Sequence, residues 1–173
     1  KGQKVAALRS DREAKEGVII ASPTPDNKSG LIITLACETD FVAKNAEFVA
    51  FAQSIMDIAL KNNVKTLEEL LSAKLDNVSI ADKINDQVAR IGEKIQITRF
   101  ERIDADAVAA YIHGAYRMGV LVGLNKNTAA ALQAGKDVAM QIAAMNPVAV
   151  DPDSVSADVI AREKAIVTDQ IKN

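Results

Sequence analysis

Two apolar, β-branched runs, Gly17–Ala21 and Leu31–Cys37, stand on either side of the turn-forming cluster Ser22–Gly30. Such runs suit a pleated, half-buried surface, and the Pro, Asp, Asn and Gly between them predict an antiparallel hairpin. A small polar corner follows, and then a long pattern from Phe41 to about Asn62. In it Phe48, Ala52, Ile55, Met56 and Ala59 recur at helical spacing. Asp40 stands where an N-cap belongs, its carboxylate placed to accept orphan backbone N–H groups and to meet the positive end of the helix dipole. Phe41 shares the apolar face and has two readings. It is the first core residue, as most large aromatics are, or a wedge that the first turn projects beyond the sheet. Asp40 likewise is an ordinary cap or a functional acid.

Further along, Thr66 with Glu69 and Ser79 with Asp82 have the spacing of capping boxes for two more helices. Gly92 is the expected C-cap of the second. Glu93–Ile103 alternates Ile95, Ile97 and Arg99 with polar neighbours and predicts a third strand. The pattern then restarts. Ala107–His113 and Val120–Leu124 predict a second hairpin around Gly114–Gly119, and Asp137–Met145 a helix stopped by Asn146-Pro147. Asp151–Ser154 reads as a loop, and Ser156 as the cap of a last helix through Ile171.

The expected fold is α+β: an antiparallel three-stranded sheet packed on helices in two layers, then an incomplete second copy and a C-terminal helix. The expected organisation is a helical arm or linker over 1–16, a first α+β subdomain over 17–103, a partial second over 104–150, and a helix over 151–173. No closing third strand is visible for the second copy, so its sheet offers an open edge to another segment or chain.

Composition narrows the chemistry. At 173 residues, 49% hydrophobic and 25% charged, the chain is globular in type; with 3% aromatics and no Trp its core must be built from Ala, Val, Ile and Leu. A formal net charge of −2 gives no basic footprint for nucleic acid. No apolar run approaches the roughly 20 residues that span a bilayer, and one cysteine cannot form an internal disulfide, which suits a reducing cytosol. Starting at Lys1 and stopping within a helical pattern, the chain reads as a piece of a longer protein. Phosphate-loop, zinc-protease, CxxC and nucleophile-elbow motifs are absent. A Cys37–His113 nucleophile–base pair is conceivable, but a strand-end Cys is more often a small buried hydrophobe. No cofactor or metal is expected, and no catalysis.

Two stretches carry a resemblance. Thr39-Asp40-Phe41-Val42, with Ala43-Lys44-Asn45 and Phe48 after it, resembles the signature of elongation factor Ts, the guanine-nucleotide exchange factor of elongation factor Tu. His113-Gly114-Ala115, followed by Arg117–Val122, resembles the same family's second recognisable stretch. The resemblance runs from the basic N-terminal segment to about Ile160. Lys1–Ala7 resembles the segment that follows the family's N-terminal helical domain, and Glu163–Asn173 the start of a helical hairpin. It implies a cytoplasmic translation factor that binds elongation factor Tu and promotes GDP release. Asp40 and Phe41, flanked by Thr39 and Val42, would act near the magnesium and phosphate site. His113, in a corner shaped by Gly114, would grip a helix of the nucleotide domain. The alternative is an oligomerisation module using the open sheet edge; a homodimer is compatible with either.

Overall fold

The computed structural model describes residues 11–172. The arm expected over 1–16 lies largely outside them. Strands β1 (Glu16–Pro23) and β2 (Ser29–Cys37) form the first hairpin. Helices α1 (Asp40–Ala43), α2 (Ala46–Lys61) and α3 (Leu67–Ser72) follow. A short hairpin, β3 (Lys74–Leu75) and β4 (Val78–Ser79), leads into α4 (Ile80–Ile91) and β5 (Gln96–Asp104). Then come β6 (Ala107–His113), β7 (Met118–Leu124), α5 (Ala129–Met145), a 3₁₀ turn at Pro152–Ser154 and α6 (Ala157–Lys172). The chain is α+β, as its pattern predicts. The described residues up to Ala143 form one compact unit and those from Ala144 onward another.

The first sheet is antiparallel with order β1-β2-β5, so the last strand in sequence closes on the middle one. Its register slips between Thr34 and Leu35, where Thr98 is the extra residue of a bulge. Period-2 alternation sends Leu31, Ile33, Leu35 and Cys37 to one face, all fully buried. They pack with Phe48, Ala52, Ile55, Met56 and Ala59 of α2, the very set whose spacing predicts that helix.

The opposite face meets the β6–β7 hairpin. A Cβ at Gly30 would lie 2.5 Å from Val108 Cγ1, and one at Gly119 2.7 Å from Ile19 Cγ2 and 2.8 Å from Ile32 Cδ1. Beyond the hairpin lies α5, so close that a Cβ at Gly135 would fall 2.8 Å from Leu124 Cδ1 and 2.9 Å from Ala109 Cβ. Gly119 is therefore a strand residue chosen for space, not the turn residue with positive φ that its sequence context suggests. The second copy is a strand pair with one helix, and no third strand joins it among the described residues.

Candidate functional site

The long helix expected from Phe41 is two helices. Lys44 ends α1, and Asn45, extended at φ −69° and ψ 128°, caps α2 by accepting from the N–H groups of Glu47 (2.8 Å) and Phe48 (3.4 Å). The cap of α1 is Thr39, not Asp40: its Oγ1 accepts from Val42 N–H at 3.4 Å. Asp40 occupies the first helical position, where its carboxylate still meets the helix dipole and pairs with Lys44 Nζ at 2.6 Å. That bond, with the Lys44 charge and the more distant Arg117, holds the Asp40 carboxyl below the ordinary aspartate range.

The break at Asn45 decides the fate of Phe41. One continuous helix would carry it onto the face of Phe48. Instead Phe48 is 2% exposed and Phe41 84% exposed. Of its two sequence readings, the core one is overturned. Phe41 rims an open groove of about 480 Å³ whose floor includes Val42, Phe48 and Ile91, with the Glu47–Arg90 ion pair (3.1 Å) at its edge.

The corner beneath Phe41 is tied down from the loop between α4 and β5. Gly92, at φ 85°, ends α4 in the left-handed conformation that glycine takes without a Cβ clash. The turn delivers Glu93 to the corner. Its Oε2 accepts from the N–H groups of Glu38 (3.0 Å) and Thr39 (3.1 Å), and its Oε1 from the Thr39 hydroxyl at 2.6 Å. Glu38 reciprocates: its Oε1 accepts from Lys94 N–H at 2.6 Å and its Oε2 from Arg12 Nη1 at 3.1 Å. Cys37 lies under the corner and donates its S–H to Thr39 C=O at 3.2 Å. Burial first, and then the charge of Glu93, push its thiol up to about 11. A fully buried, protonated thiol suits the small-hydrophobe reading of Cys37 and not that of a nucleophile.

The second stretch forms the β6–β7 turn. His113 ends β6, exposed, with Nδ1 2.9 Å from Tyr111 Oη. Gly114, Ala115 and Tyr116 all have positive φ (60°, 52° and 70°), a run only glycine takes without strain. Tertiary bonds hold it: Tyr116 C=O accepts from Ile19 N–H at 2.8 Å, and Arg117 pairs with Glu16 at 2.5 Å. The Tyr116 side chain packs on the main core.

Thus the fold brings together stretches about 70 residues apart in sequence. An open groove of about 540 Å³ has Ala43, Lys44, Val49 and Gln53 on one side and Ala115 and Tyr116 on the other. Sequence reasoning missed Glu93, Asn45 and Tyr116. Asn45 followed by Glu47 was a legible cap signal; Glu93 left none, because its partners lie 54 and 55 residues away. Among the described residues, no group of three or more His, Cys, Asp or Glu could hold a metal ion, and no helix is long and apolar enough to cross a membrane.

The described residues define an α+β domain whose conspicuous surface feature is an exposed aromatic on a tethered corner. The family model for elongation factor Ts matches residues 38–173. Similar proteins include the elongation factor Ts of Christiangramia forsetii, 45% identical over 172 residues, and that of Flavobacterium psychrophilum, 44% identical over 172. Each match covers 99% of this chain and 62% of the relative. That of Bacteroides fragilis is 42% identical over 172 residues, with 99% of this chain and 51% of the relative covered. The chain belongs to the elongation factor Ts family. It spans about half to three-fifths of the length of these relatives.

Proposed function

We propose that this chain is the core of a guanine-nucleotide exchange factor of translation elongation, acting in the cytoplasm on elongation factor Tu. The observation that carries the reading is Phe41: a large apolar side chain left 84% exposed on a corner held by a cap and by Glu93. Folding gains nothing from that exposure, whereas burial against a partner would gain about 2–3 kcal/mol.

The mechanism is linkage. A factor that binds the nucleotide-free partner more tightly than the nucleotide-bound one must weaken nucleotide binding by the same factor. Only contacts that differ between the two states do this. Phe41, entering between helices of the partner, would shift groups that hold the magnesium ion. Magnesium demands near-ideal octahedral geometry, so a small shift is costly. Asp40 adds negative charge to the same region. Thr39 and Val42 shape the turn that presents both. His113 and Gly114, next in the chain to the Ala115 and Tyr116 that line the groove's far side, supply a second grip against which the first can work. No bond is made or broken, and the chain is not an enzyme in that sense.

Release of fluorescent GDP from elongation factor Tu tests this. The chain is expected to accelerate release in a dose-dependent way, and Phe41→Ala to lower the maximal rate more than the affinity. Equal maximal rates for the two would remove the wedge. A second reading is favoured by one observation: the β6–β7 pair carries no third strand among the described residues, and open edges recruit other chains. Sedimentation of the chain alone would show a dimer if that edge pairs with a second copy.

A further inference from the structure

A helix N-terminus of the capping-box type satisfies two backbone donors at once. The N-cap side chain accepts from the N–H of the third helical residue, and a Glu or Gln at that third position reaches back to the N–H of the cap. The corner supplies only the first half. Thr39 Oγ1 accepts from Val42 N–H, but the third position is Val42 itself, whose side chain can accept nothing. The missing carboxylate arrives from elsewhere, as Glu93 Oε2 on Thr39 N–H at 3.1 Å. The same oxygen takes the N–H of Glu38, and Oε1 takes the Thr39 hydroxyl proton, which aims the Oγ1 lone pairs at the helix.

We propose that Glu93 is the positioning residue of the corner: it completes from a distant loop the capping box that residues 39–42 leave half made, and so sets the direction in which Phe41 projects. A four-residue helix holds no orientation by its own hydrogen bonding, since helices so short are far below the length at which propagation outweighs nucleation. Phe41, one residue beyond Asp40, is 84% exposed, so burial of its own ring does little to fix it. Its direction is inherited from its helix, which Ala43 and Val42 seat on the core at one end and Thr39 ties at the other. There Thr39 is held on three atoms by the Glu93 carboxylate and Cys37 S–H: N–H, Oγ1 and C=O. Lys94 N–H on Glu38 closes the clasp from the other side, so the loop between α4 and β5 and the corner each bind the other's backbone.

This rests on the exchange reading above, and the test separates the two. Amide hydrogen exchange of the free chain reads the clasp without any partner. Release of fluorescent GDP at saturating factor, with the dissociation constant measured separately, reads its consequence. In Glu93→Ala the amides of Glu38 and Thr39 are expected to lose protection by about tenfold or more, the loss of a charge-assisted bond. The β2 amides of residues 31–35 should keep theirs. The maximal release rate is expected to fall about tenfold or more, since misplacing a positioned group by an ångström can cost up to about a hundredfold. The dissociation constant should move about threefold or less.

Glu93→Gln keeps one oxygen for the two backbone donors but offers N–H to the Thr39 hydroxyl, and should recover part of both losses. If Glu93→Ala does not fold, Glu93→Asp, shorter by one methylene, carries the same readouts. Unchanged protection of residues 38 and 39 would overturn the clasp. Lost protection with an unchanged maximal rate would overturn its role in presenting Phe41. If the wild-type chain itself released no GDP, the exchange reading would fail, and the amide readout would still decide whether Glu93 holds the corner.

Discussion

The two faces of the first sheet are packed by opposite means. On the helix side, Leu31, Ile33 and Leu35 interlock with Phe48, Ile55 and Met56, all buried, so this layer is held by apolar volume. On the hairpin side the contact is made by absence of side chains: Gly30 against Val108, Gly119 against Ile19 and Ile32, with Gly135 repeating the device between the hairpin and α5. The first layer fails when volume is removed, the second when volume is added. A scarcity of aromatics therefore weakens neither, since one layer uses branched aliphatics and the other needs backbone proximity.

The largest expected effect is on the volume-filled side. Leu31→Ala, at a fully buried position, should cost about 2–5 kcal/mol in chemical denaturation. A cost below about 1 kcal/mol would mean that the helix layer collapses around the hole. On the other side Gly119→Ala should cost about 1–3 kcal/mol through overpacking, because its Cβ meets Ile19 and Ile32 at under 3 Å. A neutral result would show the hairpin free to move off the sheet and end the contrast.

A third effect is confined to alkaline pH. The Cys37 thiol, raised to about 11 from 9.0, is kept protonated by the fold, so between these values the unfolded chain binds fewer protons. Stability should be fully present below pH 9 and fall as pH rises towards 11. The loss approaches about 3 kcal/mol at most, measured as the difference in unfolding free energy between the wild type and Cys37→Ala. A flat difference across that window would mean that the thiol is hydrated. The smallest effect belongs to Phe41, which neither layer uses: Phe41→Ala should change stability by no more than about 0.5 kcal/mol. A larger loss would place Phe41 in the core after all.

Much of the frame was legible because its causes are local. The β-branched runs around Ser22–Gly30 form the hairpin with Glu16 opposite Cys37 and Pro23 opposite Gly30. Thr66 and Ser79 accept from the N–H groups three residues on, as their spacing with Glu69 and Asp82 predicts. Gly92 adopts the left-handed end of α4. The turn Asp76-Asn77, both at positive φ, closes the β3–β4 hairpin and was equally local, a two-residue signal overshadowed by the capping box beside it.

The candidate site was legible in its residues but not in its geometry. Thr39, Asp40, Phe41 and Val42 stand at a strand-to-helix corner as expected, and His113 and Gly114 at a hairpin end. Periodicity alone carried Phe41 into the core, because a helical pattern cannot register one extended residue such as Asn45 that resets the phase. By itself the sequence determined strands, helix faces and most caps, since those depend on interactions within about four residues. Only the tertiary structure decided that Phe41 is presented to solvent, that Glu93 completes its cap, and that the turn at Ala115 and Tyr116 lies across a groove from Lys44. These depend on partners brought together by sheet pairing and close glycine contacts, for which local spacing carries no signal.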